Sequence, residues 1–356
     1  MKKIKMGLIG FGGISKGIHV PGYLAHPDKV EISAVCDINP DRLSEAKEKF
    51  GLSDSALFTD YGELLNSGLV DAVDIATSND AHVDIAIAAI EKGLPFSIEK
   101  PIGRNLEEAK RLFDLANEKN AKSFVCFSWR YRAYARLLRD IIKSGELGKL
   151  YHIYIRCIKD SGLWEGRRLE WRFDKEKAGS GVLGDLGSHM IDITRFIGEE
   201  FDTVFAESGI TVGERQVENG DEIRPVTTDD WCNISATTKN GVPVTINLSR
   251  VAKTIPDLME FEIMGEGGRI KLSNAGAMKL FLSIGKWDTA CKGMHEIVPP
   301  ASYNANQSLS FINLINGIED EYTSHIIEGI ECQKVLEAAS RSVETGKKIK
   351  IGEDIL

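Results

Sequence analysis

Asp185 and His189 are the pair of side chains in this sequence whose types and spacing best suit proton transfer. They stand four residues apart, and on the first turn of a helix that spacing places two side chains on one face. The aspartate can then bond one imidazole nitrogen and leave the other to accept a proton. Two alternatives stay open: Asp185 can be only a helix N-cap, or His189 and Asp192 can belong to a metal site. Because a third strong ligand at metal spacing is missing, we predict no metal.

A glycine-rich turn near the start of the chain suits a dinucleotide. Residues 4–9 form a short, mostly apolar run typical of a buried parallel strand, and a helix-like stretch follows the glycines up to residue 24. Gly10 makes the tight turn, and Gly12, which has no Cβ, lets a pyrophosphate approach the backbone. Free N–H groups and the positive end of the helix dipole then face the phosphates. Ser15 replaces the usual third glycine and is still small enough for close helix–strand packing.

Asp37 supports this interpretation from the end of the next strand. It follows Gly12 by 25 residues, close to the roughly 20-residue spacing of the acid that binds the adenosine ribose. A carboxylate there accepts hydrogen bonds from the ribose hydroxyls and repels a 2′-phosphate, so we predict NAD and consider NADP less favoured. Arg42 is the reservation, because it can reach a phosphate from the start of the following helix. The alternative is that Asp37 only caps that helix.

Lys100 is a further candidate, held between the end of a strand and Pro101. A residue before proline is pushed towards extended backbone geometry, which restricts the direction of its side chain. A lysine so placed can put its ammonium group beside the reactive ring of a nicotinamide cofactor. The alternative is a solvated surface lysine, the commonest state of this residue, and position alone favours neither.

A chain in which strands and helices alternate is needed to position these residues. Over residues 1–127, strand-like and helix-like stretches alternate, which predicts an α/β Rossmann domain with a doubly wound parallel sheet. In such sheets ligands bind beyond the carboxyl ends of the strands. The polar residues at such ends are Asp37, Thr77, Asn79, Glu99 and Lys100. Over residues 128–356, strands that alternate polar and apolar residues dominate, so we predict an α+β domain with a mainly antiparallel sheet and an active site between the two domains.

Composition excludes several other classes of protein. A length of 356 residues suits two domains, and 44 basic against 53 acidic residues give a net charge of −9, which argues against a nucleic-acid-binding surface. The six cysteines form no C-x-x-C pair, so we expect neither disulfides nor zinc, and a reducing cytoplasm as the compartment. We also expect neither a secretory leader nor a membrane span.

Taken together, these stretches resemble the glucose–fructose oxidoreductase / inositol dehydrogenase / rhizopine catabolism (Gfo/Idh/MocA) family over essentially the whole chain. The motifs that carry the resemblance are Gly10-Phe11-Gly12-Gly13-Ile14, Cys36-Asp37, Thr77-Ser78-Asn79-x-x-His82, Glu99-Lys100-Pro101, Trp171-Arg172 and Asp185-x-x-x-His189-x-x-Asp192. The family usually has proline where this chain has Ser78. The resemblance implies a Rossmann domain, then an open antiparallel sheet that builds dimers and tetramers, and oxidation of sugar or cyclitol hydroxyls with NAD or NADP.

The resemblance also implies a role for each motif residue. It makes Lys100 the catalytic lysine, Asp185 the substrate-site aspartate and His189 the general base. The cofactor contacts it implies are Gly10, Phe11, Gly12, Gly13, Ile14, Asp37, Arg42, Thr77, Ser78, Asn79, His82, Glu99, Lys100 and Arg172. The substrate contacts it implies are Lys100, Arg130, Trp171, Asp185 and His189. The Trp171–Arg172 pair can equally be a packed domain hinge.

The predicted chemistry is the oxidation of an alcohol. His189 takes the hydroxyl proton, nicotinamide takes the hydride, and the Lys100 ammonium stabilises the charge that grows on the substrate oxygen. A swap in which Lys100 takes the proton and His189 orients the substrate stays open. Two other functions compete: a glycosidase- or epimerase-type enzyme that oxidises and re-reduces its substrate while it retains NAD, and a non-catalytic NAD-binding regulator. A regulator needs no proton acceptor, so these residues argue against it.

We further predict a homodimer or homotetramer. An open sheet with one bare face exposes apolar surface, and pairing two such faces hides it. The candidate interface residues are Val244, Ile246, Leu248 and Ile263. The other expected partner is a small polyol or sugar substrate, with no nucleic acid and no membrane.

Overall fold

The computed structural model describes residues 3–218, 220–285, 293–352 and 355. Five cysteines are buried thiols that form no disulfide among the described residues, namely Cys36, Cys126, Cys157, Cys232 and Cys332. The sixth, Cys291, lies outside the described residues. In the described part of the chain, no helix is long and apolar enough to cross a membrane.

The chain divides into two compact units. One contains residues 1–127 and 305–330, and the other contains residues 128–304 and 331–356. The predicted division placed everything after residue 127 in one second domain, and that assignment is wrong for residues 305–330, for a reason that the contacts of this segment show below.

The first unit is built on a parallel sheet. Its described strands are β1 (Ile4–Ile9), β2 (Val30–Cys36), β3 (Leu57–Phe58), β4 (Ala72–Ile75), β5 (Phe96–Ile98) and β6 (Ser123–Val125), in the order β3-β2-β1-β4-β5-β6. Each pairing is parallel, and β4 is buried along its whole length, as expected of a strand covered on both faces. The strand order reverses between β1 and β4, where doubly wound sheets bind ligands. The predicted Rossmann sheet is confirmed.

Helices alternate with these strands. A π-helical turn (Ser15–His19) continues into α1 (Val20–Leu24), and the helices that follow are α2 (Pro40–Phe50), α3 (Tyr61–Asn66), α4 (Asn79–Glu91) and α5 (Leu106–Glu118). Side chains of Asn39, Asp60 and Asn105 accept backbone N–H groups at the starts of α2, α3 and α5. These N-caps satisfy donors that a helix start otherwise leaves without partners, so the sequence sets where each helix begins.

The second unit contains a larger mixed sheet. The described strands of this unit are β7 (Leu150–Ile158), β8 (Phe201–Gly209), β9 (Glu214–Gln216), β10 (Ile223–Pro225), β11 (Trp231–Thr238), β12 (Pro243–Ser249), β13 (Leu258–Gly265), β14 (Gly268–Ser273), β15 (Lys279–Ile284), β16 (His295–Ile297) and β17 (Ile349–Lys350). The order is β16-β15-β14-β13-β7-β12-β11-β8-β17, with β9 and β10 as a separate hairpin. Among the described pairings β7–β12 is parallel and the rest of this sheet is antiparallel, which confirms the predicted mainly antiparallel domain. The helices before β11 are α6 (Ala133–Lys143), α7 (Lys175–Ala178) and α8 (Ser188–Phe196).

The proposed interface residues lie on the wrong face of this sheet. Val244, Ile246, Leu248 and Ile263 are at most 2% exposed, so they form the core face. Side chains alternate across a strand, and the other face of β12 carries Asn247, whose side chain donates to Asn233. The prediction failed because the apolar half of an alternating strand belongs to the core of its own domain.

Residues 305–330 cover the edge of the first sheet. They include α9 (Gln307–Ile315) and lead into α10 (Ile326–Thr345). The ring of Phe311 is fully buried and its centroid lies 5.8 Å from that of Phe124. The N–H of Val125 in β6 donates to the carbonyl of Ser324 at 2.9 Å. An edge strand leaves backbone groups unpaired, and this returning segment supplies both a partner and apolar cover.

Candidate active site

The loop after β1 leaves its backbone open to a ligand. Gly10 has φ +92°, and a Cβ there would lie 2.4 Å from the carbonyl oxygen of Ala76, so only glycine fits. A Cβ on Gly13 would meet no described atom within 4 Å, and one on Gly12 would meet only Arg42 Nη1, at 3.9 Å. The outer surface of the loop is therefore free for close approach.

The helix start beyond the loop offers further polar groups. Ser15 is fully buried, and its Oγ has no hydrogen-bond partner among the described residues. Ile14 beside it is partly exposed, whereas Phe11 is buried and packs edge-on against Phe50, with centroids 5.7 Å apart. Phe11 therefore borders the loop only through its backbone. An open glycine backbone, an orphaned hydroxyl and a helix N-terminus fit the pyrophosphate of a dinucleotide.

The side chain of Asp37 connects the end of β2 to this loop by a hydrogen bond. Its Oδ2 accepts the N–H of Phe11 at 2.8 Å, and its Oδ1 accepts the N–H of Asn39 at 2.9 Å. Arg42 Nη1 lies 3.4 Å from the same Oδ2, and the arginine side chain is 46% exposed. The N-cap of α2 is Asn39, so the alternative that Asp37 only caps this helix is wrong.

The loop after β4 places Thr77 and Ser78 partly exposed at the start of α4. The hydroxyl of Thr77 donates to the carbonyl of Ser78 at 3.2 Å, and the hydroxyl of Ser78 donates to Asp80 Oδ1 at 2.5 Å. Asn79, the first residue of α4, is 7% exposed. These side chains stabilise a turn at the carboxyl edge of the sheet.

His82 holds two loops of this edge together. Its Nδ1 lies 2.9 Å from the carbonyl oxygen of Pro101, and its Nε2 lies 3.3 Å from that of Thr77. Burial lowers the pKa of His82, although the Pro101 carbonyl and nearby acids oppose the shift. The shorter contact identifies Nδ1 as the donor of a neutral ring. The buried ring of His82 therefore positions the loops after β4 and β5, and its predicted contact with the cofactor stays a prediction.

Lys100 follows β5 and is partly exposed. Its backbone N–H donates to Glu99 Oε2 at 3.2 Å, while Glu99 Oε1 lies 2.9 Å from His19 Nε2. Glu99 is 7% exposed. The carboxylate of Glu99 bonds His19 and the backbone of Lys100, and its predicted contact with the cofactor stays a prediction.

A buried polar cluster behind this turn was missed by the sequence analysis. His19 Nδ1 lies 2.8 Å from Asp74 Oδ2, and the hydroxyl of Ser97 donates to the other oxygen of Asp74. Burial lowers the pKa of His19, but the charges and hydrogen bonds of Asp74 and Glu99 outweigh it and raise the pKa to about 10. The signal that was available is Asp74 itself, a carboxylate inside the otherwise apolar strand β4, which must be paired when it is buried.

In the second unit, Asp185 and His189 lie on one continuous helical stretch. A π-helical turn (Leu183–Gly187) carries Asp185 and runs into α8, whose second residue is His189. Asp185 is exposed and His189 is half-buried. A π-turn inside a helix is rare and frequent at functional sites.

Asp229 caps this helical stretch. Its Oδ1 accepts the N–H of Gly181 at 2.6 Å, and its Oδ2 accepts the N–H of Leu183 at 2.9 Å. A Cβ on Gly181 would lie 1.9 Å from the carbonyl oxygen of Asp229, which explains the glycine. The alternative that Asp185 is only an N-cap is therefore wrong.

Arg130 and Asp192 form a buried ion pair. Arg130 Nε lies 3.1 Å from Asp192 Oδ2, and Arg130 Nη2 donates to Asp192 Oδ1. Arg130 is 4% exposed and its guanidinium also lies over Phe196, 5.1 Å from the ring centroid. Arg130 thus uses Nε and Nη2 on Asp192, and its predicted contact with substrate stays a prediction. Because both oxygens of Asp192 bond Arg130, this pairing argues against the alternative in which His189 and Asp192 bind a metal.

His189 and the Trp171–Arg172 pair have aromatic surroundings. The ring of Trp129 lies edge-on to His189, with centroids 6.3 Å apart. Arg172 stacks on Trp171, 4.4 Å from the ring centroid, and both side chains are partly exposed. The carbonyl of Arg172 accepts the hydroxyl of Thr228 at 2.9 Å, so the pair is anchored through its backbone while the side chains border solvent.

A doubly wound sheet with an open glycine loop at its switch point defines a dinucleotide-binding class of protein. Family descriptions match this chain as "Oxidoreductase family, NAD-binding Rossmann fold" over residues 4–127 and "GFO/IDH/MocA C-terminal domain" over residues 135–271. A levoglucosan dehydrogenase of Pseudarthrobacter phenanthrenivorans is 31% identical over 76% of this chain and 73% of its own. The chain therefore belongs to the GFO/IDH/MocA oxidoreductase family, which confirms the predicted membership.

Two further similarities agree with this family. A glucose-6-phosphate 3-dehydrogenase of Bacillus subtilis is 30% identical over 74% of this chain and 71% of its own. The solved structure of a levoglucosan dehydrogenase in complex with NADH and L-sorbose has a TM-score of 0.89 over 99% of each chain, at 26% identity. The likeness confirms the predicted combination of a Rossmann fold with a mainly antiparallel sheet.

Proposed function

We propose that the protein is an NAD-dependent dehydrogenase that oxidises a secondary hydroxyl of a sugar, a sugar derivative or a cyclitol. The observation that carries the proposal is the helical turn of Asp185 and His189, whose capping is done by Asp229. An exposed carboxylate and a half-buried imidazole on one stretch suit proton transfer from a polar substrate. The relatives named as sugar dehydrogenases support the substrate class.

The cofactor would be held by the first unit. The N–H groups of the glycine loop and the orphaned hydroxyl of Ser15 would bind the pyrophosphate, and Asp37 would accept the ribose hydroxyls. The nicotinamide supplies a hydride acceptor when bound. We prefer NAD to NADP because Asp37 carries a charge of the same sign as a 2′-phosphate, and because Arg42 is already close to Asp37.

Three side chains would act on the substrate. His189 would accept the hydroxyl proton on a ring nitrogen, since an imidazole titrates near neutral pH. The ammonium of Lys100 would stabilise the negative charge that develops on the substrate oxygen. Asp185 would bind substrate hydroxyls, and Trp171 and Arg172 are retained as side chains that border substrate and cofactor.

We also propose that the protein forms a homodimer or homotetramer in a reducing cytoplasm. The described cysteines support the compartment, because they form no disulfide within the described part of the chain. The face of the sheet opposite the core supports the assembly: His152 and Tyr154 stack there with centroids 3.7 Å apart, and Tyr154 is 42% exposed. This face replaces the residues that the sequence suggested.

The test is a substrate screen. Purified protein would be mixed with NAD and with levoglucosan, glucose 6-phosphate, myo-inositol or D-glucose, and absorbance at the reduced-nicotinamide band would be followed. Net reduction with at least one substrate supports the dehydrogenase. Nicotinamide that stays bound through purification without net reduction would indicate the NAD-retaining glycosidase or epimerase type. Binding of NAD without any turnover would indicate a regulator.

A further inference from the structure

His19 joins two carboxylates that come from different parts of the first sheet. Its ring lies 2.8 Å from Asp74, inside β4, and 2.9 Å from Glu99, just beyond β5. His19 itself is 1% exposed. A neutral imidazole has one N–H, so it would satisfy only one of these acceptors, whereas an imidazolium donates to both. The geometry therefore fits a doubly protonated ring, since each ring nitrogen faces a carboxylate oxygen.

Three further described side chains adjoin this cluster. Tyr23 lies on the same helix, Ser97 lies on β5, and Cys126 follows β6. Burial raises the pKa values of Tyr23 and Cys126 well above their usual ranges, and Asp74 raises both further. These three side chains are therefore neutral near pH 7, and His19 supplies the positive charge.

A metal ion is not needed to explain the cluster. His19, Asp74 and Cys126 place ligand atoms within 4.8 Å of one another. However, both ring nitrogens of His19 already face carboxylate oxygens at hydrogen-bond distance. A metal would have to displace those bonds in a site closed to solvent, so we infer a proton-filled cluster.

The cluster reaches the turn that carries Lys100. Glu99 uses one oxygen for His19 and the other for the backbone N–H of Lys100, at 3.2 Å. At its other end, the carbonyl of His19 accepts the hydroxyl of Ser308 at 3.1 Å. The helical stretch of His19 begins at the glycine loop. One side chain thus connects that stretch, β4 and the turn after β5.

We propose that His19 is a positioning residue for Lys100: through Glu99 it fixes the backbone turn of Lys100 relative to the helix that follows the glycine loop. This inference rests on the proposed function. It matters for rate because a misplacement of about 1 Å can cost roughly 10²-fold in turnover.

Two isosteric substitutions separate the two bonds of His19. The amide nitrogen of glutamine takes nearly the place of histidine Nε2, so His19→Gln keeps the donor to Glu99. That of asparagine takes nearly the place of Nδ1, so His19→Asn keeps the donor to Asp74 and loses the one to Glu99. We expect His19→Gln to stay within about five-fold of the wild-type single-turnover rate and His19→Asn to lose roughly 10²-fold.

Two measurements distinguish a positioning role of His19 from an effect on the stability of the protein. Single-turnover reduction of NAD would be measured with whichever sugar of the panel the wild type oxidises, and NADH binding by fluorescence titration. Both variants should bind NADH within about three-fold of the wild type. Ser308→Ala, a buried change on the other side of His19, is the matched control and should keep the wild-type rate. Equal rates for His19→Gln and His19→Asn would overturn the inference.

Glu99→Gln keeps the test decisive if the His19 variants do not fold. It should slow the reaction. Adding His19→Asn to it should cause no further loss of rate, since both changes break the same link, from His19 through Glu99 to the backbone of Lys100. A Glu99→Gln enzyme as fast as wild type would refute the inference. A wild type that transfers no hydride contradicts the proposed function instead, so the two failures are distinguishable.

Discussion

The carboxylate of Asp229 accepts the backbone N–H groups of Gly181 and Leu183. Because this cap is in place, Asp185 is not needed for it and remains exposed on the turn before His189. Arg130 shows the opposite case, since its guanidinium is used in a buried pair with Asp192. At the scale of residues, a family motif therefore mixes side chains that fold the chain with side chains that face solvent.

His189→Ala should lower turnover by roughly 10²–10⁴-fold, the usual contribution of a general base. NAD affinity should barely change, because we assign the imidazole to the substrate hydroxyl. Rising pH should restore part of the rate, since hydroxide or a less protonated substrate replaces the base. The measurement is a pH–rate profile of the variant beside that of the wild type.

Lys100→Ala is the matched comparison for His189→Ala. It should also be slow but should gain nothing from rising pH, because it removes a fixed charge and not a proton acceptor. A rescued Lys100 variant beside a His189 variant without rescue would reverse the two roles.

Asp37→Asn should shift cofactor preference towards NADP. The change removes a charge that repels a 2′-phosphate and keeps an acceptor for the N–H of Phe11. About 1.4 kcal/mol of repulsion is enough for a ten-fold preference for NAD over NADP. Titration of the wild type and of the variant with both cofactors measures this preference. Asp41→Asn removes the same charge from an exposed position on α2 and should leave the preference unchanged. Equal or tighter NADP binding by the wild type would disprove the assignment.

At the scale of elements, His19 makes the first unit sensitive to pH. Its folded pKa of about 10 lies above its ordinary value of 6.5, so its stabilising effect is complete below about pH 6.5 and is lost as pH rises towards 10. Each pH unit within that window costs at most about 1.4 kcal/mol of unfolding free energy. Denaturant unfolding from pH 6 to 9 should therefore show a steeper decline for wild type than for His19→Gln.

The other titratable groups of the cluster are shared by both proteins. Asp74, Glu99, Tyr23 and Cys126 face the ring of His19 or lie beside it. The difference between the two stability curves therefore reports the replacement of His19. Parallel curves would show that His19 does not carry the proton in the folded protein.

The elements also show why some features could be predicted and others could not. Local patterns encode the glycine turn at Gly10 and the strand that ends at Asp37, because each depends on neighbouring residues. The pairing of His19 with Asp74 joins residues 55 apart along the chain, which no local pattern contains. Likewise, alternation in β12 indicated two faces, but only packing decided that Val244 and Ile246 lie in the core.

At the scale of the whole molecule, the sequence pattern predicted the boundary between the two units after residue 127. It did not predict that residues 305–330 belong to the first unit. That return depends on contacts such as Phe311 with Phe124, and the helical pattern of α9 does not say which sheet it covers. Family membership rests on matches in both halves of the chain, over residues 4–127 and 135–271.

The most direct test of the proposed function follows the hydride itself. A sugar that the protein oxidises would be supplied with deuterium on its ring carbons, together with NAD, and the released nicotinamide would be examined by mass spectrometry. We predict that one deuterium moves from carbon to the nicotinamide and leaves the protein as reduced cofactor. Absence of label from the nicotinamide, or return of the label to the sugar without release of reduced cofactor, would contradict the assignment as a dehydrogenase.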